Sequence, residues 1–206
     1  PEIELYSQLI LLTGLLTAII ILGIYPALLY CFAGRENPYK YLYAISAPAL
    51  AAFLSGNSYF AFIPLAPHTV ENLGIPRKVG ATTLPFFTLF GKAGTAMVTG
   101  VTFIVIVRSY SSLGFGVETL LWVIAFSILT SLLTGSVPGL GLVVALSTIS
   151  GLYGRGIENG FLIVQPVIPL LTSFAVLLDV VTAAFGTIIV SHSEGNKKDV
   201  YAKDFI

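Results

Sequence analysis

Five apolar stretches make up most of this chain, and three of them are cut near the middle by polar or glycine-rich peptide. The first, from about Leu9 to Cys31, is long enough for one membrane-spanning helix, which needs about 20 residues. Pro26 near its end is tolerable as a kink. Arg35, Glu36, Asn37 and Pro38 then mark an aqueous loop. The second stretch, Tyr41 to Leu73, breaks at Ser55-Gly-Asn-Ser58. The third, Val79 to Val107, breaks at Gly91-Lys-Ala-Gly94, and the fourth, Thr119 to Tyr153, at Thr134-Gly-Ser-Val-Pro-Gly-Leu-Gly141. The fifth, Phe161 to Val190, is free of glycine until Gly186, with Pro166 and Pro169 near its start, and can span with tilt.

Arm length decides how the breaks are read. Arms of about 13 to 15 residues reach only about 20 Å at 1.5 Å per residue, against a hydrocarbon core of about 30 Å. A bundle of ordinary spanning helices with glycine-rich kinks would need longer arms. Non-helical backbone at membrane depth is tolerated where protein shields it. The expected fold is therefore an all-α integral membrane protein: spanning helix 9–31, re-entrant hairpin 41–73, broken spanning helix 79–108, re-entrant hairpin 118–153 and spanning helix 161–192. These form one membrane domain over residues 1–195, an inverted repeat, followed by a tail at 196–206. Interrupted apolar segments in corresponding positions of two halves point to the binding site of a secondary transporter.

Composition agrees. Only 10% of the residues are charged and 56% are apolar, where soluble domains carry about 25% charged residues. The formal net charge is zero and no basic run occurs, so nucleic acid is not an expected partner. The single cysteine, Cys31, excludes an internal disulfide and reads as a packing residue. The chain opens on Pro1 with no charged n-region and small-residue cleavage site, so its start does not read as a signal peptide; a piece of a longer protein is expected.

If each hairpin returns to its own side, Arg35, Lys40, Arg77, Lys78, Lys197, Lys198 and Lys203 share one side, against Arg108 and Arg155 on the other. The cation-rich side belongs in the cytoplasm. This predicts a multi-pass plasma-membrane protein with a cytoplasmic C-terminus, and hairpins that enter from opposite faces as alternating access requires. Trp122, Tyr41, Tyr43, Tyr110 and Tyr153 fit interfacial anchoring.

Two ionisable residues fall deep inside apolar stretches, Lys92 and Asp179. Each costs at least about 2.5–3.5 kcal/mol at mid-membrane. Their opposite signs and similar expected depth place them in the interior, neutralising each other. Three roles stay open for the pair: a structural bridge that fixes helix packing, a permanent positive charge where a transporter would bind a cation, or a titrating couple linked to protons. His68 and His192 sit near helix ends with no metal-ligand spacing to any Cys or carboxylate. No nucleophile–base pair or nucleotide loop is present, so neither an enzyme nor a cofactor or metal site is expected.

The order hairpin, helix, hairpin, helix, with these break sequences, resembles the glutamate transporter family, the dicarboxylate/amino acid:cation symporters. Four stretches carry the resemblance: Thr134 to Gly141 as the second hairpin tip, Gly94-Thr-Ala96 with Gly100 as the end of the unwound segment, Ala183 to Val190 with Ser193-Glu194 as the end of the last helix, and Asn72 to Ile75 after Pro64 as the exit of the first hairpin. It covers roughly Ser7 to Glu194, the C-terminal half of such a protein. The resemblance implies a mobile transport domain that slides as an elevator against a scaffold. That scaffold, built from an N-terminal half and trimerising, would be the partner alongside the bilayer and a small solute.

The departures from the family pattern are specific. Its Asn-Met-Asp is Gly91-Lys92-Ala93 here, and an Asp near the end of the last helix is Ala183, so two sodium-ligating carboxylates are missing. Losing both beside an ammonium argues against family-type sodium coupling, with Lys92 in the electrostatic place of the ion. Ala175 stands where acidic-substrate members carry an Arg, which argues against a dicarboxylate. Thr172 replaces an Asp that holds an amino group, Asp179 replaces an Asn, and a triple-serine tip is reduced to Ser58 before Tyr59 and Phe60. The candidate substrate-binding residues are Ser58, Thr95, Ser136, Val137, Thr172 and Asp179, with Lys92 and Asp179 as the electrostatic pair. Two functions follow: a sodium-independent carrier of a small organic solute, or a transport-incompetent sensor or pseudotransporter.

Overall fold

A computed structural model describes residues 2–33, 37–110, 116–134, 140–154, 156–195, 200 and 205, and all regular structure among them is helical. Helix α1 (Glu2–Ile19) passes through a π turn (Ile20–Ile24) into α2 (Tyr25–Phe32). Then come α3 (Pro38–Ala44), α4 (Ser46–Ser55) and α5 (Ser58–Glu71), followed by α6 (Arg77–Phe90) and α7 (Ala93–Tyr110). Helices α8 (Val117–Leu133) and α9 (Gly141–Tyr153) lead to a 3-10 segment (Gly160–Val167) and α10 (Ile168–Ser193). Among the described residues three helical stretches are long and apolar enough to cross a membrane: Ile3–Phe32, Arg77–Ser109, which is interrupted at Gly91 and Lys92, and Gly160–Ser193. Helices α4, α8 and α9 are apolar but shorter.

The helices differ in detail from the sequence expectation, and proline explains where. A proline lacks the N–H that its helix partner carbonyl needs, and inside lipid no water replaces it. Pro48 leaves the Ala44 carbonyl without a helical donor, and the arm expected as one helix is divided there at Ile45. The Asn72 side chain fills the gap, donating from Nδ2 to the Ala44 carbonyl at 3.1 Å. Pro26 does the same to Leu22, whose carbonyl accepts the Tyr39 hydroxyl at 3.1 Å. A π turn lies just before Pro26, and both features bend a helix. In the 3-10 segment Pro166 cannot serve the Ile163 carbonyl three residues back, and the Tyr6 hydroxyl takes it at 2.9 Å.

Packing centres on α10, which touches α7, α6, α4, α5 and α1. The buried apolar residues form two clusters. One joins α2, α3, α4, α5 and α6 to the later part of α10 through Leu29, Ile45, Leu65, Leu84, Val180 and Ile188. The other joins α1, α7, α8, α9 and the 3-10 segment to its earlier part through Leu9, Phe103, Val123, Leu146, Val164 and Leu171. Leu11, Leu22, Phe32, Leu121, Leu129 and Leu133 face outward, while Lys92 and Asp179 are buried. Apolar side chains outside and an ion pair inside suit a chain surrounded by hydrocarbon.

Candidate functional site

The site begins with the break between α6 and α7. Gly91 adopts φ −78° and ψ 53°, and the Phe90 carbonyl accepts the Lys92 N–H at 2.9 Å, which is an inverse γ-turn. The chain is thereby redirected, and α7 starts afresh at Ala93 with first-turn amides that have no partner in their own helix. Helix α10 supplies the partner. Asp179 Oδ1 accepts the Gly94 N–H at 2.7 Å and the Thr95 N–H at 3.0 Å, and Oδ2 accepts the Thr95 hydroxyl at 2.6 Å. An aspartate usually caps the start of its own helix; this one caps a helix 85 residues earlier in the chain. Charge-assisted bonds to the positive end of α7 offset the cost of burying the carboxylate.

That approach is possible because residue 94 is glycine. A Cβ there would strike the Ala175 carbonyl oxygen and lie 2.8 Å from Leu178 Cβ.

Lys92 lies beside this cap. Its Nζ is 3.7 Å from Asp179 Oδ2 and donates to Ser58 Oγ at 3.3 Å. Lys92 is 8% exposed and Asp179 3%, so the charges are compensated by each other and by α7 rather than by water. The division of labour is unequal. Asp179 holds three strong donors besides Lys92, whereas the ammonium has one hydroxyl and one carboxylate at ion-pair distance. Ser58 belongs to the first turn of α5, immediately after the tip at Gly56 and Asn57. Gly56 has φ +58°, the left-handed region that favours glycine, and the Asn57 side chain caps α5 by accepting the Tyr59 N–H at 2.9 Å. This tip lies over α10: a Cβ on Gly56 would be 3.7 Å from Thr172 Cγ2.

Of the residues singled out from sequence, Ser58, Lys92, Thr95 and Asp179 meet in one group, two hydrogen-bonded pairs joined by the ion pair of Lys92 and Asp179. Thr172 lies two turns before Asp179 on the same face of α10; it is buried, and its hydroxyl has no partner among the described residues. Ser136 and Val137, within the segment 135–139, lie outside the described residues. Gly94 was not foreseen as an amide donor, although a helix that restarts after a break has first-turn amides without a partner in their own helix. The space bounded by Ser58, Leu65, Thr88, Asp179, Val180 and Ala183 does not admit a water-sized sphere. Among the described residues no group of three or more His, Cys, Asp or Glu side chains could hold a metal ion.

Comparison with known proteins adds two findings. The model of the sodium:dicarboxylate symporter family matches residues 2–193. No curated protein matches the chain.

Proposed function

Because this chain belongs to the sodium:dicarboxylate symporter family, a family of transporters and not of enzymes, we propose that it carries a small organic solute by elevator-type alternating access, without sodium coupling. Lys92 is the fixed positive charge in the place of a dissociable cation. The observation that carries this reading is the buried contact of Lys92 Nζ with Asp179 Oδ2 at 3.7 Å. A sodium ion needs several hard oxygen ligands in an otherwise uncompensated site. Here the carboxylate is occupied by α7 and faced by an ammonium, and the neighbouring space is closed.

In this reading α3–α5 and α8–α9 are the two re-entrant hairpins, residues 1–195 are the transport domain and residues 196–206 a cytoplasmic tail. Ser58, Thr95 and Thr172, with Ser136 and Val137 of the second tip, contact the solute, and Asp179 positions the α7 side of the site. A trimerising scaffold half and a plasma-membrane location complete the proposal. Ala175, a buried methyl on the α10 face between Thr172 and Asp179, favours a solute without a second carboxylate.

The closed packing around Ser58 and Asp179 favours a second reading, a transport-incompetent sensor of the same fold. Proteoliposome uptake by the full-length protein, with and without a sodium gradient, separates them. Uptake indifferent to sodium is expected. Uptake strictly requiring sodium overturns the role given to Lys92, and binding without any uptake supports the sensor.

A further inference from the structure

A groove of about 490 Å³ lies between the antiparallel helices α5 and α6 and shares no lining residue with the Lys92–Asp179 centre. Its inner walls are apolar, with Phe62 from α5 and Leu84 and Pro85 from α6. Its rim is charged: Glu71, the last residue of α5, and Arg77, the first of α6, both line it. Nine residues of helix separate Phe62 from Glu71, about 13 Å, so polarity changes along the length of the groove.

The rim is rigid. Leu73 and Ile75 in the connection are each 1% exposed, and Asn72 is tied to the Ala44 carbonyl at 3.1 Å. Glu71 and Arg77 are both exposed, and among the described residues they form no ion pair with each other.

Each rim charge stands against its own helix dipole. Glu71 adds a carboxylate to the negative end of α5, and Arg77, with Lys78, adds cations to the positive end of α6. Such placements are each unfavourable by about 0.3–1 kcal/mol. They become favourable when a ligand brings the opposite charges. The guanidinium and the free first-turn amides of α6 suit a phosphate. The exposed Glu71 carboxylate suits a donor-bearing ammonium. A molecule with phosphate and ammonium at one end and hydrocarbon at the other matches rim and walls together.

We propose that the α5–α6 groove binds a bilayer phospholipid whose headgroup pairs a phosphate with a primary ammonium, of the ethanolamine type. The phosphate sits at Arg77, the ammonium at Glu71, and one acyl chain lies along Phe62 and Leu84. A headgroup with a quaternary ammonium offers no N–H to the Glu71 carboxylate, and one without an ammonium leaves Glu71 unmatched.

The test is native mass spectrometry of delipidated full-length protein offered palmitoyl-oleoyl phosphatidylethanolamine, phosphatidylcholine or phosphatidylglycerol at equal concentration. Retention of the ethanolamine lipid above the other two is expected, with about a tenfold drop for Arg77→Gln, on the solvent-facing rim. Glu71→Gln should abolish the preference for ethanolamine over glycerol headgroups. Ala81→Phe, at an exposed groove position, should block the lipid sterically. Equal retention of all three lipids, unchanged retention in Arg77→Gln and Ala81→Phe, or no retention because another protein segment fills the groove would each overturn the proposal.

Discussion

Gly94 of α7 and Ala175 of α10 approach so closely that a methyl group on the glycine would run into the alanine's carbonyl oxygen. At the level of the ion pair the backbones of the broken helix and the last helix meet directly, beside the bonds that the Asp179 side chain makes to α7. Gly94→Ala is therefore expected to push α7 away from α10 and stretch the bonds to Asp179. Overpacking of this kind costs about 1–3 kcal/mol, and the lost cap adds to it. Thermal unfolding in detergent should show a clear drop for this variant. Gly151→Ala, where nothing lies within 4 Å of the new methyl, should be neutral or slightly stabilising, since alanine favours helix by about 1 kcal/mol over glycine.

The ion pair should respond unequally to the loss of either partner. Asp179→Ala strips the α7 amides of their acceptor and leaves the Lys92 ammonium buried with Ser58 alone. A cost of about 3–5 kcal/mol follows for a stranded buried charge. Lys92→Met leaves Asp179 with three donors and should cost less than half as much. Equal losses in thermal stability would show that the α7 cap is not the main compensation of Asp179.

Removing the ammonium should also open the centre to an outside cation. In Lys92→Met the carboxylate faces Ser58 with no fixed positive side chain. Sodium is then expected to raise the unfolding temperature of the variant and to leave the parent protein unchanged, because a ligand stabilises only the state that binds it. Titration of both proteins with sodium and with a bulky organic cation reads this directly. A sodium response already present in the parent would contradict the fixed-charge role.

Asn72 offers a test of the proline-freed carbonyls. Asn72→Ala leaves the Ala44 carbonyl buried without its side-chain donor, at about 1–3 kcal/mol. Asn72→Asp keeps the size but not the N–H, so it should not rescue stability. Recovery by aspartate would mean that the contact works through packing rather than through the hydrogen bond.

The break at Gly91 to Gly94 is legible in sequence because glycines and a lysine interrupt an apolar run, and the burial of Lys92 and Asp179 follows from the cost of unpaired charge. Ser58 and Thr95 were reachable from the resemblance, and the structure joins both to the same pair. What sequence could not supply was direction. Asp179 reads as a partner for Lys92, yet it bonds first to the amides of Gly94 and Thr95, which depends on α10 crossing the start of α7. The division of the first hairpin arm at Ile45 was missed although Pro48 announces it, because a proline four residues on shows which carbonyl is released but not that Asn72 will reach it from 28 residues away.

Helix α10 is a single 26-residue rod, and both buried apolar clusters are built on it. A rod of this kind transmits displacement without absorbing it, as an axle does between two wheels. Movement of one cluster carries the other along, so any opening that acts on one end alone must come from the short arms around it. One of those arms ends at Gly56, whose left-handed backbone lies against Thr172.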